Sequence, residues 1–250
     1  MKETMSLLHS EWLKIQSTKA FRVSVVFMVL LVPVVSWLEG HQYLSVGLDA
    51  TPETVPGLAE AIDPLEYLGL NGASMAGMVL VILAGILGAT EFQSHSLRTS
   101  LLACNNRLKL LMGKILTFGL FSLIISLLSI YLSYIVMHLA LGKEGLHPIL
   151  LNQAAWSHLL WKALATALLG LLSFLLGLLG RTMLLPLLFL VHTSWGAYLP
   201  QPAGELFVAT PTSQYANNPL QGLLILSVWL LIIGVMASLR FLKTDLGGRY

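Results

Sequence analysis

Long apolar runs are the feature that most constrains what this chain can fold into. One of them, Ile115–Met137, contains no Asp, Glu, Lys or Arg. A helix that crosses the hydrocarbon core of a bilayer needs about 20 mostly apolar residues, whereas a soluble helix of that length keeps a polar face. Charged residues make up only 10% of the chain, against about a quarter in soluble domains. A membrane is therefore the expected solvent for most of the protein.

Six runs are long enough to be transmembrane spans. They are Phe21–Leu38, Leu68–Thr90, Ile115–Met137, Trp161–Leu179, Met183–Leu199 and Leu220–Leu242. The fourth and fifth runs are separated only by residues 180–182, but Arg181 between them and Pro186 just after it favour a tight hairpin over one long helix. We therefore predict an all-α transmembrane fold whose six-span domain covers residues 21–242.

The distribution of basic residues predicts how these spans are oriented. With the N-terminus inside, only Lys143 and Lys162 of the 14 Lys and Arg residues fall on the outer side. Cytoplasmic loops carry such an excess of positive charge. We therefore expect a plasma-membrane protein whose two termini, including the tail 243–250, lie in the cytoplasm. The outer loop 40–67 is acidic, and its sequence leaves open whether it is a lid or a passive connector.

The first 20 residues predict a helix on the inner membrane surface. Four apolar residues recur at i, i+3, i+7 and i+10 and therefore share one helical face: Met5, Leu8, Trp12 and Ile15. Glu11 and Lys14 are expected to point away from that face. Such a helix would lie along the bilayer with its basic residues near the lipid headgroups. The alternative is a frayed, solvated N-terminus.

The segment 91–114 between the second and third spans is longer than a connection needs to be. Leu97 and Leu101 are one helical turn apart and flank Arg98, which predicts a short amphipathic helix that ends near residues 105–107. We interpret it as a surface on which another protein docks. The alternative is a solvated basic loop that only fixes the topology.

The motifs around this segment resemble those of a known family. They are Glu91-Phe92, Ser96-Leu97-Arg98-Thr99, Leu101-Leu102, Arg107 and Gly113-Lys114, preceded by Ser10-Glu11-Trp12-Leu13-Lys14 before the first span. Together they resemble the permease subunit of ABC-2 type exporters, a family that includes antibiotic and lantibiotic self-protection permeases. The resemblance covers the whole topology, whereas its specific motif covers about 25 residues around the second and third spans.

The resemblance implies a mechanical role for the segment 91–114 as a helix that couples the spans to a separate ATPase. The residues assigned to that coupling are Glu91, Phe92, Leu97, Arg98, Leu101 and Arg107. Leu97 and Leu101 would dock in a groove of the ATPase, Arg98 would pair with an acidic residue on its rim, and Glu91 would brace the base of the second span. The implied partners are two copies of a cytoplasmic ATP-binding subunit and a second permease copy or sister permease. The implied cargo is a hydrophobic or amphipathic compound such as an antibiotic or antimicrobial peptide.

The sequence lacks motifs for several kinds of chemistry. No GxxxxGK[ST] phosphate-binding loop occurs, so we expect ATP and Mg²⁺ to bind the partner ATPase and no cofactor to bind this chain. A single cysteine, Cys104, excludes a CxxC site, and the histidines are too scattered to predict a metal site. The basic residues form no single patch, which argues against a nucleic-acid partner.

Two features inside the spans carry further predictions. A stripe of small residues follows one face of the second span and predicts close helix packing, with a dimer interface or pore lining as alternatives: Ala73, Gly77, Ala84 and Gly88. His192 lies midway along the fifth span and is an intramembrane polar candidate. A neutral, hydrogen-bonded histidine is the simpler interpretation of it.

Two alternative functions follow from the same residues. A channel or secondary transporter would also be a multi-span protein, but the sequence has no internal repeat and only Pro186 as a notable mid-span proline. An intramembrane serine protease could use Ser74 and His192. Against the protease, Ser74 is predicted near the outer face and His192 near the middle of the membrane.

Overall fold

The structure is a computed structural model, and the residues it describes are helical with short connections and no strand. The described residues are 2–56, 58, 61–93, 106–146, 153–182, 186, 198–208 and 218–243. The helices are α1 (Lys2–Ser17), α2 (Lys19–Val26), a π-helical turn (Phe27–Leu31), α3 (Val32–Val46), α4 (Asn71–Gln93), α5 (Arg107–Ala140), α6 (Gln153–Gly180), α7 (Pro200–Glu205) and α8 (Pro219–Lys243).

Five helical segments within the described ranges are long and apolar enough to cross a membrane. They are Lys19–Val46, Ser74–Glu91, Arg107–Ala140, Ala155–Gly180 and Pro219–Phe241. The predicted class, an all-α chain with membrane-spanning helices, is therefore confirmed. Of the fifth predicted span, Met183–Leu199, nearly all residues lie outside the described ranges.

Several helices extend beyond the ends that hydropathy predicts. The first span continues to Val46 instead of ending at Leu38, and α5 begins at Arg107 instead of Ile115. The start of α5 is fixed by Asn106, whose side-chain oxygen accepts hydrogen bonds from the backbone N–H groups of the next turn at 3.0 and 3.2 Å. Hydropathy detects only the part of a helix that lies in lipid, so it misses turns that continue into the polar interface.

Helix α5 lies at the centre of the bundle and contacts α1, α3, α4, α6 and α8. A row of serines on α5 is at most 1% exposed and follows the helical repeat: Ser122, Ser126, Ser129 and Ser133. The Ser133 hydroxyl lies 3.0 Å from that of Ser36 on α3, and the Ser122 hydroxyl donates to the Ala167 carbonyl of α6. Because lipid offers no hydrophobic drive for helix association, such interhelical hydrogen bonds help to fix the packing.

Helices α4 and α6 pack with their backbones in contact. A Cβ atom added at Gly88 would lie 2.4 Å from the Phe174 carbonyl oxygen, and one added at Gly177 would lie 2.7 Å from the Gly85 carbonyl oxygen. The Ser173 hydroxyl donates to the Val81 carbonyl at 2.6 Å across the same contact. The end of α4 is therefore held firmly against α6.

Candidate functional site

Four charged side chains meet where α1 contacts the end of α4 and the start of α5. We call Glu11, Lys14, Glu91 and Lys114 the ion cluster. The Lys114 Nζ atom lies 2.6 Å from Glu11 Oε2 and 2.8 Å from Glu91 Oε1, and Lys14 Nζ lies 2.9 Å from Glu11 Oε1. One ammonium group therefore joins α1 to the consecutive helices α4 and α5.

The close approach of α1 to α5 depends on Gly113, the residue before Lys114. A Cβ atom added at Gly113 would lie 1.9 Å from Leu7 Cδ2, so a larger residue would force the Leu7 side chain to move. Glu11 follows Leu7 by four residues and therefore lies one turn further along the same face of α1. This packing brings its carboxylate to Lys114.

Aromatic side chains hold the connection between α1 and α2 against α5. Trp12 and Phe21 meet edge to face with ring centroids 5.9 Å apart. Both rings also pack on Phe121 of α5, at 5.9 Å for Trp12 and 5.0 Å for Phe21. The Thr18 hydroxyl oxygen accepts a hydrogen bond from the Phe21 N–H and caps the start of α2. These contacts fix α1 and the start of α2 on α5.

The ion cluster is buried and balanced in charge. The side chains of Lys114 and Glu11 are 1% and 4% exposed, that of Glu91 is 17% exposed and that of Lys14 is 37% exposed. Two carboxylates face two ammonium groups, so the cluster carries no net charge when all four are ionised. Removing one partner of a buried pair costs about 3–5 kcal/mol, because the other charge stays buried and unpaired.

A cavity of about 200 Å³ lies beside the ion cluster. It is lined by all four cluster residues and by other residues of α1, α4 and α6, including Thr90 and Phe174. Among the described residues, Glu91 Oε2 is one of a few buried side-chain oxygens without a hydrogen-bond partner from the protein. The cavity contains the charged groups of the ion cluster and is large enough for several water molecules, which would hydrate this oxygen.

The predicted coupling residues divide into those the structure describes and those it does not. Glu91 belongs to the ion cluster, and Arg107 is the first residue of α5. Phe92 lies in the last turn of α4, but its side chain is outside the described part. Leu97, Arg98 and Leu101 fall in 94–105, also outside the described residues.

Two of the small residues of α4, Gly77 and Gly88, lie where this helix meets α6. Gly88 has the closest contact, as given above, and Ala84 is 0% exposed. Gly77 has more room, since an added Cβ would lie 3.9 Å from Thr166 Cγ2. The side chain of Ala73 is outside the described part, as is His192. Ser74, the serine of the protease alternative, is exposed in the first turn of α4.

The predicted orientation of Glu11 is wrong, and Lys114 has a contact that the sequence motifs did not indicate. Glu11 was expected to point away from the packed face of α1, yet it is 3% exposed and faces α5. Its charge is compensated by Lys14 on one side and Lys114 on the other, which makes burial possible. Lys114 interrupts the apolar run 110–118, and a lone charge inside such a run indicates a buried ion pair or a functional site.

The comparisons with known proteins add no relative. No protein-family model, no curated protein and no solved structure matches the chain. Within the described ranges, no group of three or more His, Cys, Asp or Glu side chains could hold a metal ion. The function must therefore be inferred from the ion cluster, the membrane-spanning architecture and the sequence motifs.

Proposed function

We propose that this chain is the membrane-spanning permease subunit of an ATP-driven ABC exporter, with ATP hydrolysed by a separate subunit. The observation that supports this function best is the bridge that Lys114 makes between Glu11 and Glu91. It joins α1 to the two helices, α4 and α5, that precede and follow the predicted docking segment 94–105 in the chain. Motifs of the ABC-2 type occur at the same place in the sequence, and the chain has no phosphate-binding loop of its own.

The ion cluster would transmit force from the docking segment to the membrane helices. Residues 94–105 leave from the end of α4 and enter α5 through Arg107, and α1 is tied to both helices by Glu11. A partner that pushes on this segment would therefore move α1, α4 and α5 together. Since α4 is packed backbone to backbone on α6, the movement would reach a fourth helix.

The orientation and the cargo belong to the same proposal. The end of the bundle that carries α1 faces the cytoplasm, where the ATPase docks through Leu97, Arg98 and Leu101. The full transporter contains two permease copies, or one copy and a sister permease, and two ATPase subunits. Its cargo is a hydrophobic or amphipathic compound of the antibiotic or antimicrobial-peptide class, which an apolar, lipid-exposed bundle can accept from the membrane.

The experiment is purification of the tagged chain from its native membrane in mild detergent, followed by identification of the bound proteins. We expect a stoichiometric ATPase subunit with the unchanged chain and its loss when Leu97 and Leu101 are both changed to Asp. The matched control changes Leu44 and Leu146 to Asp. Both are exposed leucines (41% each) at the opposite end of the bundle, and this variant should retain the ATPase.

Two results would contradict the proposal. A homogeneous preparation without an ATPase, in a detergent that preserves known ABC complexes, would favour a channel, a secondary transporter or the protease alternative. If the Leu97/Leu101 variant and the Leu44/Leu146 control lose the ATPase equally, the loss is not specific to the predicted docking residues. That result would contradict the assignment of the ATPase contact to residues 94–105.

A further inference from the structure

The first membrane helix contains a π-helical turn, and the backbone of this turn explains an unusual contact. In an α-helix each carbonyl pairs with the N–H four residues on, and in a π-helix with the N–H five residues on. Here the Val32 N–H donates to the Phe27 carbonyl, five residues back. The Met28 carbonyl loses both possible donors, because Val32 is engaged and Pro33 has no N–H.

A serine from the neighbouring helix replaces the missing donor. The Ser129 hydroxyl of α5 donates to the Met28 carbonyl at 2.7 Å. Met28 and Ser129 are both 0% exposed, so without this bond a carbonyl would be buried unpaired at a cost of about 1–3 kcal/mol. The hydroxyl of Thr117, on the same helix, instead donates to the carbonyl four residues before it, which is the usual arrangement.

The two halves of the first membrane helix differ in how they are held. Above the turn, α3 is fixed to α5, since the Ser36 hydroxyl meets that of Ser133 and a Cβ atom added at Gly40 would lie 2.8 Å from Ala140 Cβ. Below the turn, α2 has no fully buried residue and meets the bundle through partly buried side chains such as Phe21, which packs on Phe121. The π turn therefore lies between a segment fixed to α5 and one held by partly exposed contacts.

We propose that the π turn Phe27–Leu31 is a hinge with two states and that Ser129 stabilises the bent state seen here. In the straight state the Val32 N–H would donate to the Met28 carbonyl in α-helical register, and Ser129 would donate to Ile125 of its own helix. In the straight state the Val29 carbonyl would lack its α-helical donor, because Pro33 has no N–H, so the bent state is favoured while Pro33 is present. π turns inside α-helices occur frequently at functional sites.

The hinge would rotate α2 and thereby act on the ion cluster. A change of the segment Phe27–Leu31 from π-helical to α-helical hydrogen bonding removes one residue from the helical turn. This change rotates α2 about its axis by about 100°, the rotation per residue of an α-helix. Such a turn would carry Phe21 away from Phe121 and α1 away from α5, which would separate Glu11 from Lys114. The bent state is therefore the state in which the ion cluster is intact. This inference holds for any function that uses movement of α1 and does not depend on an ATPase.

The test measures a distance across the bundle with two spin labels. In a chain with Cys104 changed to Ser, cysteines replace Val23 on α2 and Leu239 on α8, which are 59% and 53% exposed. Side chains lie about 5 Å from the axis of a helix, so a rotation of about 100° displaces the α2 label by up to about 8 Å. Pulsed electron paramagnetic resonance resolves a shift of this size in detergent or nanodiscs.

Three substitutions decide the result. Pro33→Ala restores an N–H donor without changing α5, and Ser129→Ala removes the hydroxyl, so both should move population to the same second distance. Ser126→Ala is the matched control and should leave the distance unchanged, because this equally buried hydroxyl donates to the Ser122 carbonyl of its own helix.

Each other outcome overturns the proposal or part of it. Wild-type distances for both Pro33→Ala and Ser129→Ala would exclude the hinge. A shift with Pro33→Ala alone would exclude Ser129 as the stabilising donor, and an equal shift with Ser126→Ala would show a general loss of packing. If Ser129→Ala does not fold, Pro33→Ala decides the hinge by itself, and Ser129→Thr, which keeps the hydroxyl, should retain the wild-type distance.

Discussion

The ion cluster makes a quantitative prediction for Lys114→Met, which keeps the apolar part of the side chain and removes the charge. Two carboxylates, Glu11 and Glu91, would then remain near one another without the ammonium that lies 2.6 and 2.8 Å from them. Breaking a buried pair on one side costs about 3–5 kcal/mol. At about 2–4 °C per kcal/mol for a chain of this size, the midpoint of thermal unfolding should fall by about 6–20 °C.

The assay is thermal unfolding of the purified chain in one detergent, with a matched control on the same helix. Lys109→Met makes the same chemical change at an exposed position of α5 and should change stability by no more than about 0.5 kcal/mol. Combining Lys114→Met with Glu11→Gln should cost less than the two single changes added together, because the second change removes a charge that the first one left unpaired.

Either of two results would refute this reasoning. If Lys114→Met and Lys109→Met lower the midpoint equally, Lys114 is not in a buried pair. If the costs of Lys114→Met and Glu11→Gln simply add, the two side chains do not interact, and α1 is held to α5 by its aromatic contacts alone.

Three further predictions concern the same bundle and use the same unfolding assay. Gly113→Ala should lower the free energy of unfolding by about 1–3 kcal/mol through overpacking against the Leu7 side chain. Adding Leu7→Ala to that variant should therefore cost less than Leu7→Ala costs in the wild type. Full additivity of the two changes would contradict this contact. Gly88→Ala should destabilise more than Gly77→Ala, since one Cβ would lie 2.4 Å from a backbone oxygen and the other 3.9 Å from a methyl group; equal effects would contradict the packing of α4 on α6. The stability difference between the wild type and Lys114→Met should persist from 0.1 to 1 M salt, because buried ion pairs are screened little. Loss of the difference at 1 M salt, where the Debye length is about 3 Å, would indicate an exposed pair.

Apolar run length predicts the class of fold well. The interior of a span faces lipid, so apolar residues mark it. The runs that begin near residues 21, 115 and 220 each fall within a continuous helical segment of the structure. Helix ends are harder, because they depend on capping groups such as Asn106 and on polar residues that hydropathy counts against a span.

The ion cluster was harder to predict because it joins distant parts of the chain. Glu11 and Lys114 are 103 residues apart, and neither residue alone indicates its partner. The burial of Glu11 follows from the packing of Leu7, one helical turn earlier, against Gly113 of α5. The sequence alone does not indicate that contact.

The hinge had a sequence signal that the span pattern concealed. Pro33 lies inside the first apolar run, and a proline in a helix interior removes one backbone donor. The spacing of Ser129 within the serine row of α5 also indicates a polar face. The carbonyl that accepts the hydrogen bond from Ser129 is determined by how α3 packs on α5. A single sequence does not reveal this packing.

The measurement that tests the proposed function most directly uses Cys104, the single cysteine of the chain. It lies in the predicted docking segment, so a membrane-impermeant maleimide can report both the side of the membrane and the presence of a bound partner. We predict labelling in inside-out vesicles but not in right-side-out vesicles, and faster labelling after peripheral proteins are stripped from the inside-out vesicles. Labelling from the outside, or a rate that stripping leaves unchanged, would contradict the docking of an ATPase at this segment.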